Sequence, residues 1–219
     1  MSRAMTEEKA SKWKKSAVRM LVGGIVGLGF ASGMLAVAGS SLLDAMGPSR
    51  VALAAVGLTY ALMGLFVAFG LAAPRAGAAL LNVGDAEELR EERGNMLRSV
   101  VTMAVFGAVL VLLALAEGPG FAGPVSAPVA MGFLLLALVA GIVATVRWRG
   151  QFDELNRQLG LEGCFWAICL SWVVLTPWAA ADFLGYGWTL TPIDVVTTLS
   201  AMMLIGSFAA IGKRGMMTR

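Results

Sequence analysis

The chain has 219 residues, of which 58% are hydrophobic and 14% charged, with a mean hydropathy of +0.78. A soluble globule carries roughly a quarter charged residues, so this composition excludes one and puts most of the backbone in lipid. The net charge is +3 and there is no histidine, which removes imidazole ligation of haem or zinc and any histidine-assisted nucleophile.

The N-terminal stretch "TEEKASKWKKSAVRM" can cap at Thr6 and run as a basic amphipathic helix at the lipid surface, with Trp13 at head-group depth. Residues 1–16 are therefore expected to form a cytoplasmic N-terminal segment. Six windows free of Asp, Glu, Lys and Arg follow: Met20 to Leu43, Val51 to Ala73, Ser99 to Ala116, Val125 to Val146, Gly163 to Ala181 and Val195 to Gly212. Even the shortest meets the roughly 17 to 25 residues a spanning helix needs. Continuous apolar runs lack the alternation of a barrel strand, so the expected fold is all-α: a polytopic bundle of six transmembrane helices over residues 17–212. A basic leader, an apolar run and "AVAGS" at residues 36–40 also resemble a signal peptide; retention of the first span is the expectation.

Basic flanks stay on the cytoplasmic side. With the N-terminus inside, the Lys and Arg of residues 1–19, of the connections 74–98 and 147–162 and of the tail 213–219 are all cytoplasmic, and Arg50 alone faces out. Both termini are then cytoplasmic. The basic inner rim should meet anionic lipid heads and is no sign of nucleic acid. With 12 Arg against 5 Lys and abundant Ala and Gly, the composition suits a bacterial inner-membrane protein.

In the first span, Gly23 and Gly27 with Ala31, and Gly29 with Gly33, follow a small-x-x-x-small spacing that lets helix backbones approach closely. Gly57 with Ala61 offers a matching face on the second span, for packing within the chain or against a second subunit.

Two charged cytoplasmic segments, "EELREERG" at 87–94 and "DELNRQLG" at 153–160, resemble each other at an offset of 66. Asp85 with Glu88 reads as a capping box, and Glu87 with Arg90 and Glu154 with Arg157 are neighbours one turn apart. Each is expected to be a short surface helix, with glycine bending the chain into the next span. Two readings follow: solvated connectors, or a duplicated hairpin (spans two and three repeated as four and five) whose Glu88, Arg90, Arg93, Glu154 and Arg157 form a docking surface. Consecutive acids interleaved with arginines do not read as a Mg²⁺ site, so no metal or cofactor is expected.

Cys164 and Cys169 lie five apart in the fifth span and read as packing residues. Pro177 is expected to kink that span, and Trp172 to lie in the core. No charged residue sits near the middle of a span, which argues against proton or ion coupling. The one polar convergence is a stripe on the sixth span, Asp194, Thr197, Ser200 and Ser207, opposite Thr176, Trp178 and Asp182. It reads either as a solute pathway with an acidic outer mouth or as hydroxyls bonded within and between helices. No Walker loop or nucleophile elbow occurs. Three classes remain: a non-catalytic membrane subunit or scaffold that packs against a membrane partner or a second copy, a small-solute permease, and a lipid-modifying enzyme.

Overall fold

A computed structural model describes residues 39–73, Glu87, 92–151 and 153–213. The N-terminal segment, Gly23, Gly27, Gly29, Gly33, the Asp85 capping box, Glu88, Arg90 and residues 214–219 lie outside the described residues. The architecture within them is all-helical, with five helices long and apolar enough to cross a membrane. These are α1 (Ser40–Ala72), α2 (Arg93–Ala114), α3 (Ala127–Trp148), α4 (Glu154–Phe183) and α5 (Pro192–Lys213), with a 3-10 turn at Arg149–Gln151. The expected count of six is not met by the described residues. This is the plan of a multi-pass membrane protein.

Helix ends differ from the apolar windows because charge-free length marks the hydrocarbon, while capping marks the helix. α2 starts at Arg93 and α4 at Glu154, so the charged residues Arg93, Arg98, Glu154 and Arg157 belong to the spanning helices. The expected bend at Gly160 is absent: α4 runs unbroken from Glu154, launched by the Asp153 carboxylate accepting from the Asn156 amide at 2.9 Å, an N-cap. α4 also continues helical through Pro177.

α1 contains one true interruption. Gly47 has φ 72 and ψ 167, a region essentially reserved for glycine. Pro48 then restarts the helix at its first position, where a missing N–H costs nothing. The membrane-crossing part is therefore Pro48 to Ala72, about 37 Å long at 1.5 Å per residue.

The helices pack as two close antiparallel pairs, α1 with α2 and α4 with α5; α1 also touches α5, and among the described helices α3 packs mainly on α2. Both pairs cross at glycine. A Cβ added at Gly107 of α2 would lie 2.6 Å from the Gly57 carbonyl oxygen and 2.8 Å from the Ala61 nitrogen of α1. A Cβ added at Gly206 of α5 would lie 2.5 Å from the Gly163 carbonyl oxygen and 2.7 Å from the Ala167 nitrogen of α4. In lipid, where no hydrophobic drive joins helices, such backbone proximity supplies dispersion and Cα–H···O contacts. The face of Gly57 and Ala61 is thus occupied by α2.

The duplicated-hairpin expectation fails at the level of pairing. Spans four and five, α3 and α4, do not form a packed hairpin among the described residues; α4 pairs with α5 instead. The likeness of the two charged segments at an offset of 66 is not matched by a shared helix pairing among the described residues.

Between the pairs, Met46, Leu53, Ala54 and Tyr60 of α1 form a buried cluster with Leu110, Ala114 and Phe121, flanked by Ile193 and Leu204 of α5. α3 contributes one buried residue, Ala130, while Leu136 and Ile142 are 66% and 65% exposed.

Candidate functional site

The polar groups predicted to line a pathway are almost all bonded locally. Thr197 Oγ1 donates to the Ile193 carbonyl at 2.8 Å and Ser207 Oγ to the Met203 carbonyl at 2.8 Å. Each returns to its own preceding turn, which quiets a hydroxyl in an apolar setting. On the facing helix Ser171 does the same with Ala167 at 2.7 Å. Ser200 is buried, 4% exposed, between the pairs, and Thr198 is buried beside it. Thr176 is exposed and Trp178 half-buried on α4.

The two acids of the expected outer mouth hold the α4–α5 connection together. Asp182 accepts from the Leu190 amide at 3.1 Å. Asp194 is buried and accepts from both the Thr191 amide at 2.9 Å and the Thr191 hydroxyl at 2.7 Å, while its own amide donates to Thr191 Oγ1 at 3.4 Å. With Pro192 at the first helical position this is a reciprocal cap on α5, one turn long. The Ser49 side chain of α1 lies beside the same carboxylate.

Arg50, beside Ser49, is the centre of a second cluster. Its Nη1 donates to the Ala114 carbonyl at 3.2 Å and the Ala116 carbonyl at 2.6 Å, and its guanidinium lies 4.8 Å from the centre of the Phe121 ring. A cation at the C-terminal carbonyls of α2 also meets the negative end of that helix dipole. The loop it holds is tight: Gly118 and Phe121 exchange backbone hydrogen bonds at 3.0 Å around Pro119 and Gly120, the latter at φ 75. Pro followed by a positive-φ Gly is the pattern of a type II turn. Residues 47–50, "GPSR", thus break α1, restart it, place Ser49 beside the α5 cap and bind the end of α2 through Arg50. Sequence reasoning took Arg50 only as the odd charge on the outer face. Its position directly after Gly-Pro was the available signal.

Tyr60 was also missed. Buried within a span, it donates from Oη to the Ser200 carbonyl at 3.0 Å and meets Phe106 edge-to-face at 4.8 Å. A phenol in lipid needs a partner for its O–H, and one of only two tyrosines in the chain at mid-span pointed to such a bond. This contact joins the two helix pairs.

At the opposite end, Glu154 and Arg157 form an exposed ion pair at 2.9 Å, Arg93 is exposed in the first turn of α2, and Arg98 lies 5.6 Å from the centre of the Trp148 ring, tying α2 to α3. Trp172, expected in the core, is 66% exposed. Cys164 and Cys169 are free thiols. Among the described residues no group of three His, Cys, Asp or Glu could hold a metal.

Fold and polar contacts together define a multi-pass membrane protein whose polar groups serve the bundle's own closure. No protein-family model, characterised protein or solved structure matches the chain.

Proposed function

We propose that the chain is a non-catalytic subunit of the bacterial inner membrane, with both termini cytoplasmic, that packs against another membrane protein through α3. The observation that carries this reading is the state of the glycines. Gly57, Gly107, Gly163 and Gly206 are each closed over by a neighbouring helix, whereas a Cβ at Gly132 or Gly141 of α3 would meet nothing within 4 Å. A helical glycine costs about 1 kcal/mol relative to alanine. That cost is returned where a backbone approaches, and on α3 the approach must come from outside the described bundle.

A pathway between α4 and α5 has less support, because Thr197 and Ser207 donate into their own helix and Asp182 and Asp194 accept from the adjoining loop. The basic inner rim, including Arg93, Arg147 and Arg157, suits anionic lipid heads, and Glu154 with Arg157 offers a docking point for a cytoplasmic partner.

The test is in-cell photo-cross-linking from residue 142 on α3, with residue 173 on α4 as the lipid-facing control. A discrete product containing a second polypeptide, formed from residue 142 alone, is expected. Cross-links only to lipid, or only to the chain's own first 38 residues, overturn the reading.

A further inference from the structure

The two close helix pairs share more than a glycine. Gly57 follows the restart of α1 at Pro48 by nine residues, and Gly163 follows the start of α4 at Glu154 by nine. Gly107 follows the start of α2 at Arg93 by fourteen, and Gly206 follows the start of α5 at Pro192 by fourteen. In both pairs the glycine of the second helix would press on the same two atoms of the first, a glycine carbonyl oxygen and the nitrogen of the alanine four residues on. Laid over each other in this register, α1 and α4 match Leu53 with Leu159, Gly57 with Gly163, Tyr60 with Trp166, Ala61 with Ala167, Phe66 with Trp172 and Val67 with Val173. α2 and α5 match Met103 with Met202 as well as the glycines. Because successive spans alternate in direction, α1 and α4 cross the membrane in opposite senses. The pairs therefore cross alike and lie in inverted orientation.

This inversion has a consequence that depends on how the pairs meet. Here they meet through α1 and α5, where Tyr60 donates to the Ser200 carbonyl. Under the same correspondence α1 becomes α4, α5 becomes α2, Tyr60 becomes Trp166 and Ser200 becomes Val101. The equivalent contact is α4 against α2, with the Trp166 indole N–H facing the Val101 carbonyl. Trp166 is half-buried and Val101 is 49% exposed, and α2 and α4 make no contact comparable to α1 with α5 among the described residues. Each pair is rigid at its crossing, since a backbone approach this close leaves no slack. Two rigid bodies with like crossings, joined through only one of the two equivalent contacts, leave the other contact as an alternative arrangement.

We propose that the bundle is a two-state device: the glycine-crossed pairs α1–α2 and α4–α5 rock against each other, exchanging the Tyr60–Ser200 contact for a Trp166–Val101 contact. This goes beyond the packing role, because a partner seated on α3 would sense the movement of α2 beneath it.

The test uses the full-length protein in lipid nanodiscs, with spin labels on the native Cys164, two residues before Trp166 on α4, and on Val101→Cys, in a Cys169→Ala background. Pulsed electron spin resonance is expected to give two separations, the shorter one corresponding to α2 against α4. Tyr60→Phe removes one hydrogen bond from the arrangement described here and should enrich the shorter separation roughly fivefold, the effect of one typical net hydrogen bond; Trp166→Phe should deplete it. A single long separation in every variant overturns the proposal, as does a second separation that Tyr60→Phe and Trp166→Phe leave unchanged.

Discussion

Replacing Gly206 by alanine adds one methyl group where the α4–α5 pair has no room for it. The new Cβ would sit 2.5 Å from the Gly163 oxygen and 2.7 Å from the Ala167 nitrogen, both main-chain atoms held in helix. Carbon contacts relax near 3.5 Å, so the helices must part by about 1 Å, which forfeits a quarter to a half of each dispersion contact along the crossing. Overpacking of this kind costs about 1–3 kcal/mol. Alanine returns about 0.5–1 kcal/mol of helix propensity in any helix interior. The control is Gly132→Ala, in a helix where the added carbon meets nothing within 4 Å and only the propensity gain applies. Gly206→Ala should therefore fall about 2 kcal/mol below Gly132→Ala, roughly a 30-fold difference in the folded-to-unfolded ratio. Titration with a denaturing detergent from mixed micelles, followed by tryptophan fluorescence, reads this difference. Equal midpoints for the two variants would refute the crossing as described.

Three other outcomes follow from the same geometry. Arg50→Gln should destabilise the fold by about 2 kcal/mol, the loss of charged hydrogen bonds to two carbonyls. Arg50→Lys should recover less than half of that, since an ammonium cannot bridge both carbonyls and stack on Phe121 together; thermal unfolding in detergent checks both. Asp194→Ala should cost about 1 kcal/mol by removing the α5 cap, with Asp194→Asn closer to the parent because an acceptor remains, seen as the order of unfolding midpoints. Thr197→Val and Ser207→Ala should each change stability by less than about 0.5 kcal/mol and leave the α3 cross-link intact, whereas a loss of that cross-link would show that the stripe serves the partner contact.

The membrane spans were legible because lipid demands an uninterrupted apolar run: the windows beginning at Gly163 and Val195 fall inside helices, and those beginning at Val51, Ser99 and Val125 overrun theirs by only one or two residues. Their true starts were not, because Arg93, Arg98, Glu154 and Arg157 are charged yet helical, and a charge-free window stops at the head groups while hydrogen bonding continues. Pairing was the larger miss. Resemblance between the charged segments suggested α3 with α4, but partners are chosen where glycines meet, and a sequence does not show which small residue faces which. The α5 stripe was visible as a period; whether a hydroxyl aims at a cavity or at its own preceding carbonyl is a choice of rotamer. Arg50 and Tyr60 each had a sequence signal, a lone charge after Gly-Pro and a lone mid-span phenol. Their partners, Ala116 and Ser200, lie 66 and 140 residues away, and only the folded chain brings them together.

The account rests on α4 traversing the bilayer with its Glu154–Arg157 end toward the cytoplasm. In a Cys164→Ala, Cys169→Ala background, Arg157→Cys and Tyr186→Cys place single thiols at the two ends of that helix, at positions that are both exposed. A membrane-impermeant maleimide should label Tyr186→Cys once the outer membrane is opened, and should reach Arg157→Cys only after the inner membrane is broken. Labelling of both thiols across an intact inner membrane, or of Arg157→Cys alone, would contradict it.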